Sequence, residues 1–265
     1  MKKSLIIAAV VAFTLYSSPV QAIDIQPVNW HDIGLEYFQD SKYDLAIESF
    51  TKAIEQDPDD ASHHLYHRGA AYAEKRQPHK ALADLNRAQT DRPNSHWLYY
   101  YRYLAHIELQ EYKKAEQDAE KMLQLDPQSV DGFHALGFID MRKGNYGKAL
   151  SNTNKALRIF ANAGSYNNRG IIYIELEEYE LALKSFEQAL IVDPEYSVLY
   201  YNKATTLQQL GQNEEAIKYY RLYLEKSDNH DNYNTNNTET LTKDAQKSIA
   251  NLEKRKTKKT GNADF

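Results

Sequence analysis

The chain has 265 residues, 42% hydrophobic and 26% charged, so it can bury a core in one or two domains and is not disordered overall. It has no cysteine, which excludes a disulfide framework, a thiolate metal site, a cysteine nucleophile and a lipid anchor on cysteine. Lys plus Arg is 32 against 37 Asp plus Glu, a net charge of −5, which argues against a dedicated nucleic-acid binder. Only 10 residues are Gly and 21 are Tyr, a composition that suits helices with wide amphipathic packing faces.

Residues 1–22 read as a targeting segment. Lys2 and Lys3 precede an apolar run from Leu5 to Tyr16, followed by Ser17, Ser18, Pro19 and the triplet Val20-Gln21-Ala22. Basic start, short apolar stretch and small final residue predict a secretory signal peptide cleaved after Ala22. As a helix the run reaches about 18 Å, too short for a hydrocarbon core of about 30 Å. No later stretch approaches 18 apolar residues, so stable membrane insertion of the mature chain is not expected. Taking Lys2 and Lys3 from the 32 basic residues leaves 30 against 37 acidic ones, a mature charge of −7. The style of the signal is bacterial and points to the periplasm, or to secretion beyond it.

A period near 34 then runs through the chain. Ala46, Ala81, Ala115, Ala149, Ala182 and Ala216 follow one another at gaps of 35, 34, 34, 33 and 34. Twelve residues before each stand Gly34, Gly69, Tyr103, Gly137, Gly170 and Ala204. Three before each stand Tyr43, Pro78, Tyr112, Tyr146, Tyr179 and Asn213. Pro58, Pro93, Pro127 and Pro194 close four of the units.

These slots resemble the tetratricopeptide repeat, whose pattern is W-x2-L-G-x2-Y, then A-x3-F, A and P. The first unit matches with Trp30, Ile33, Gly34, Tyr37, Tyr43, Ala46, Phe50, Ala53 and Pro58. The fifth matches with Tyr166, Gly170, Tyr173, Tyr179, Ala182, Phe186, Ala189 and Pro194. The resemblance implies an all-α solenoid over 27–230, with repeats at about 27–60, 62–95, 96–129, 130–163, 163–196 and 197–230 in a right-handed superhelix. Small residues at the glycine and alanine slots let two backbones approach closely, and no unit can bury its apolar face alone.

Departures from the pattern carry their own expectations. The third unit has bulky Tyr103 in the small slot and Ala119 in the aromatic slot, a volume-conserving exchange. The fourth unit has Thr153 in the aromatic slot and ends Phe160-Ala161, so its junction with the fifth is the expected irregularity. Arg68, Arg102, Arg169 and Lys203 are expected to lay their stems on the next unit and keep their charge near solvent or a carboxylate. A polar linker is expected over 231–238, then a capping helix over 239–258 on Leu241, Ala245, Ile249 and Leu252, then a disordered tail over 259–265.

The family resemblance places the concave wall on the first helix of each unit. The register assigns to it His31, Leu35 and Phe38, then His63 and Tyr66, then Trp97, Tyr100 and Leu104. His134, Phe138, Met141 and Arg142 follow, then Asn167 and Ile171, and finally Tyr201. Chaperone-binding members of the family hold a C-terminal carboxylate with Lys, Arg and Asn on these helices. The matching positions His31, Leu35, Tyr66, Ala70, Tyr100 and Leu104 include no lysine, which argues against that clamp.

His63 and His67 lie four apart on one helix face, a spacing that can place two imidazoles on one metal. A third ligand is missing unless a neighbouring unit supplies it, with His31 and His134 as distant candidates, and no metal or cofactor is assigned on the sequence. The run from Asp228 to Glu239 only faintly echoes a calcium loop, since Tyr233 stands where glycine is needed. No phosphate-cradling loop, nucleophile elbow or His-Glu zinc signature occurs. The expected function is a non-enzymatic scaffold that binds a peptide or protein segment in the concave groove within a bacterial envelope. One alternative is self-assembly into a homo-oligomer through the sixth unit, rich in Tyr200, Tyr201, Tyr219, Tyr220 and Tyr223. A third reading is a metal-dependent protein built on the histidines of the second unit.

Overall fold

The structure, a computed structural model, describes residues 28–228 and 238–261. The expected signal peptide (1–22), residues 231–237 of the expected linker, and 262–265 of the expected tail lie outside the described residues. Helices form six consecutive pairs: α1 (Trp30–Gln39) with α2 (Tyr43–Gln56), α3 (Ala61–Glu74) with α4 (Pro78–Ala88), and α5 (His96–Glu108) with α6 (Tyr112–Leu125). The series continues with α7 (Val130–Arg142) and α8 (Tyr146–Ile159), α9 (Ala163–Glu175) and α10 (Tyr179–Val192), and α11 (Ser197–Gln209) and α12 (Asn213–Asp228). A final helix, α13 (Thr238–Gly261), packs on α12. No strand occurs among the described residues.

Local chemistry sets where the helices begin and end. Asn29, Ser95, Ser129 and Asn162 accept the third backbone N–H of α1, α5, α7 and α9 through their side chains, satisfying a donor that the helix leaves orphaned. The turn inside every pair is closed by one left-handed residue: Ser41, Arg76, Gln110, Gly144, Glu177 and Gly211, with φ between 54° and 75°. Around each, two backbone N–H groups return to the last turn of the first helix, as in Ser41 to Phe38 and Lys42 to Tyr37 at 3.0 and 2.8 Å. So short a connection forces the two packed helices to run antiparallel.

The six aligned alanines, Ala46, Ala81, Ala115, Ala149, Ala182 and Ala216, are fully buried. At the glycine slot the helices nearly touch: a Cβ added to Gly34 would lie 2.5 Å from the Phe50 ring, and one added to Gly170 would lie 2.5 Å from the Phe186 ring. In the third unit Tyr103 and Ala119 are buried in one cluster, as the exchange of volumes predicts. The irregular junction falls where expected, and a second irregularity was not foreseen. Between α8 and α9 the chain has only residues 160–162, one fewer than in the bridges 57–60, 126–129 and 193–196, while the longest bridge between repeats joins the second and third units, where α4 stops at Ala88 and α5 starts at His96. The tail also differs, because α13 continues to Gly261.

The four basic residues just before the small slot each lie over an aromatic ring: Arg68 over Tyr72, Arg102 over Tyr99, Arg169 over Tyr166 and Lys203 over Tyr219. Three also meet a carboxylate on a second helix, Arg68 and Arg102 that of their own unit and Lys203 that of the preceding one. Arg68 grips Asp84 with two hydrogen bonds of 2.7 and 3.0 Å, Arg102 reaches Asp118 at 3.3 Å and Lys203 reaches Glu187 at 3.0 Å. The charges are therefore held at helix interfaces, within one unit for Arg68 and Arg102 and between the fifth and sixth units for Lys203, while the stems cover apolar surface.

Glycine substitutions at three kinds of position are expected to have opposite signs, readable as urea midpoints. Gly170→Ala drives a methyl into the Phe186 ring and should cost about 1–3 kcal/mol. Gly147→Ala, in the first turn of α8 with open space around it, should stabilise by about 0.5 kcal/mol. Glu177→Gly relieves a left-handed residue and should stabilise by about 0.5–1 kcal/mol.

Candidate partner-binding surface

First helices touch one another from unit to unit (α1 with α3, α3 with α5, α5 with α7, α7 with α9, α9 with α11), whereas second helices show no comparable contact. The first helices therefore form the inner, concave side of the array. Curvature is tight at the N-terminal end, where Phe38 of α1 and Tyr101 of α5 come within 6.4 Å across the intervening helix.

An aromatic wall follows from this. Tyr101 lies 6.5 Å from Tyr66 and 5.5 Å from Tyr100, and Tyr100 lies 5.5 Å edge-on to Trp97. Trp97 is 52% exposed, an uncommon state for the largest apolar side chain. Leu35 and Leu104 are half-buried at the base of the wall. Burial, with the charges of Asp131 and Glu74 nearby, pushes the Tyr100 hydroxyl up to about 12, so it stays a neutral hydrogen-bonding group.

A small cavity of about 20 Å³ lies between α7 and α9, lined by Gly137, Phe138, Met141, Thr153, Ile171 and neighbours that include His134. Its origin is the sequence departure at Thr153. Where Phe50 and Phe186 fill the space beside their glycines, the Thr153 hydroxyl stops 3.2 Å from a Cβ placed on Gly137. His134 borders the cavity and its Nε2 is 2.6 Å from the Ser165 hydroxyl.

The remaining expected wall residues divide. Asn167 is buried and accepts a 2.8 Å hydrogen bond from Asn202, so it serves the contact between the fifth and sixth units and does not face an open groove. Arg142 is exposed at the end of α7 and donates to the Tyr112 hydroxyl at the start of α6, at the turn edge of the array. Tyr201 packs against Tyr220 and Tyr223 in the cluster completed by Ala245 and Leu252 of α13. That same cluster places Tyr220 and Tyr223 beneath the final helix, which removes them from any face offered to a second copy.

His31 and His63 meet His64 and His67 in one cluster. Ring centroids of His31 lie 4.3 Å from His63 and 4.9 Å from His67, and His63 and His67 are 5.1 Å apart. Phe50 supports the cluster, stacked on His67 at 5.6 Å and tilted to His31 at 5.5 Å. Burial and the neighbouring imidazoles hold His31 down at about 4 and His67 at about 3, and burial and Arg92 lower His63, so all three rings are neutral near pH 7.

Tyr101 and Arg92 were not among the residues expected here. Tyr101 sits one position past Tyr100, and only the close approach of the first and third units brings it to the wall. Arg92 lies in the long bridge, its guanidinium 5.2 Å over the Tyr66 ring and hydrogen-bonded to His63 Nδ1.

Burial on α7 holds His134 below the ordinary histidine value, with Asp131 opposing the shift only in part. The unfolded chain takes up a proton near pH 6.5 that the folded site refuses, so stability falls as pH drops from about 6.5 toward the lowered folded value. His134→Gln, which can still bond Ser165, should show a shallower acid-side loss in urea midpoints measured from about pH 7.5 to about pH 5.

Comparison with known proteins places the fold. The chain matches "Tetratricopeptide repeat" over residues 163–196 and again over 185–218, and "TPR repeat" over residues 34–75. It is 26% identical over 184 residues to human Tetratricopeptide repeat protein 13, covering 69% of this chain and 18% of that protein. It is also 26% identical over 216 residues to the Hsp70-Hsp90 organizing protein of Triticum aestivum, covering 77% of this chain and 35% of that one. It thus spans about a fifth to a third of these curated relatives. A tetratricopeptide repeat protein from Parabacteroides merdae has the same fold, with a TM-score of 0.69 at 22% identity over 84% of this chain and 86% of that one. With the motif in register through the helix pairs, this chain belongs to the tetratricopeptide repeat family.

Proposed function

We propose that this protein is a non-catalytic scaffold that holds an extended or helical segment of a partner protein along its concave face, in a bacterial cell envelope. Tetratricopeptide repeat proteins generally act as protein–protein interaction scaffolds, as the organizing protein from wheat does by name. The observation that carries the finer reading is the wall of Phe38, Tyr66, Tyr100 and Tyr101 ending in the half-exposed Trp97. Rigid aromatic side chains of this kind anchor interfaces because they bury much area at little entropic cost. The cavity beside Thr153 offers a second anchor point for an apolar side chain. The partner is read by apolar side chains and not by a terminal carboxylate, since no lysine stands at the clamp positions. A mature charge of −7 favours a neutral or basic partner. The envelope location rests on the signal pattern of residues 1–22.

Affinity capture from the envelope and culture medium of the source organism, with the chain from Ile23 onward as bait, tests this reading. A partner held by the wild type should bind at least about tenfold more weakly to the Trp97→Ala, Phe138→Ala double variant. Equal capture by both proteins would move the binding surface off the concave face. Detection of the chain only in the cytosolic fraction, with residues 1–22 still attached, would refute the envelope location.

A further inference from the structure

We propose that His31, His63 and His67 form a binding site for a borderline divalent transition metal, zinc foremost, that clips the first repeat to the second. One ring nitrogen from each of the three lies within 4.8 Å of the others. Three imidazoles around one zinc at Zn–N of about 2.0–2.1 Å have ring centroids about 5 Å apart. The centroid separations here are 4.3, 4.9 and 5.1 Å, so small rotations of the rings suffice to close the site. Imidazole ligands with no thiolate and no clustered carboxylate suit zinc, copper or nickel rather than magnesium or calcium.

The surroundings fit this role. His31 Nδ1 lies 2.9 Å from His64 Nδ1. With the proton on His31 Nδ1 donated to His64, His31 Nε2 keeps its lone pair for a metal, and His64 orients the ring. Phe50 backs both His31 and His67 and limits their movement. Asp32 and Asp60 lie near enough to favour positive charge at His31, and Asp60 does so at His63 as well. The opposing charge is Arg92, whose guanidinium donates to His63 Nδ1. That contact is what a metal must displace. Three protein ligands leave the fourth tetrahedral position to water or to a partner side chain. Because His31 comes from α1 and the other two from α3, the bound metal ties together helices of neighbouring repeats.

The test is calorimetric titration of the untagged chain with zinc chloride at neutral pH, with visible absorption of the cobalt(II) form as an independent reading of coordination geometry. Saturable one-to-one binding, a raised thermal midpoint reversed by chelator, and a tetrahedral cobalt spectrum are expected. His31→Gln and His67→Gln should each weaken binding at least tenfold with unchanged far-ultraviolet circular dichroism, while His79→Gln, outside the cluster, should not. Arg92→Ala leaves every imidazole in place and should bind several-fold more tightly, so the proposal stays testable if a histidine variant unfolds. Absence of zinc binding in the wild type and in Arg92→Ala, or undiminished binding in both histidine variants, would overturn it.

Discussion

Everything in this molecule depends on how closely two helices can approach within one repeat. At Gly34 and Gly170 the missing side chain is replaced by the ring of Phe50 or Phe186, pressed so near that even a methyl has no room. The fully buried alanines do the same from the opposite helix. That contact sets the angle of each pair and hence which faces remain for the next pair. Because each unit rests mainly on its neighbours, a local change in the contact is felt where adjacent first helices meet, which is the concave side.

The two candidate sites are variations on that contact. In the fourth unit Thr153 replaces the ring, and the volume it fails to fill becomes the cavity beside Phe138, Met141 and Ile171. In the first unit Phe50 is present, and the ring that fills the glycine notch also backs His31 and His67. One side chain thus serves both packing and the preorganisation of a polar cluster. The charged ladder of Arg68, Arg102 and Lys203 shows the complementary solution, in which a cation enters a helix interface with a carboxylate and a ring to meet it.

Repeat period, helix starts and the small-residue slots are legible in the residues because they are local: Tyr43, Pro78, Tyr112, Tyr146, Tyr179 and Asn213 each open a second helix. The exchange of Tyr103 and Ala119 is legible for the same reason, since both lie within one unit. Left-handed residues in the turns are half-legible. Gly144 and Gly211 mark the slot, but Ser41, Arg76, Gln110 and Glu177 occupy it with no residue preference to betray them. Wall positions counted along a single helix were less secure. Asn167 has the right register yet is consumed by Asn202 of the next unit, and Tyr101 has the wrong neighbour yet joins the wall.

The sequence by itself determined that this is a helical tetratricopeptide repeat array closed by a C-terminal helix, because period, small slots and breakers act over a few residues and leave their mark wherever they act. Only the tertiary structure decided how residues from different units converge. His31 meets His63 and His67 from another repeat, Arg92 folds back from a long bridge onto that cluster, and Phe38 reaches Tyr101 over an intervening helix. Those contacts depend on the small rotation between successive repeats. That rotation is the summed result of side-chain volumes at every interface, so no single position in the chain encodes it.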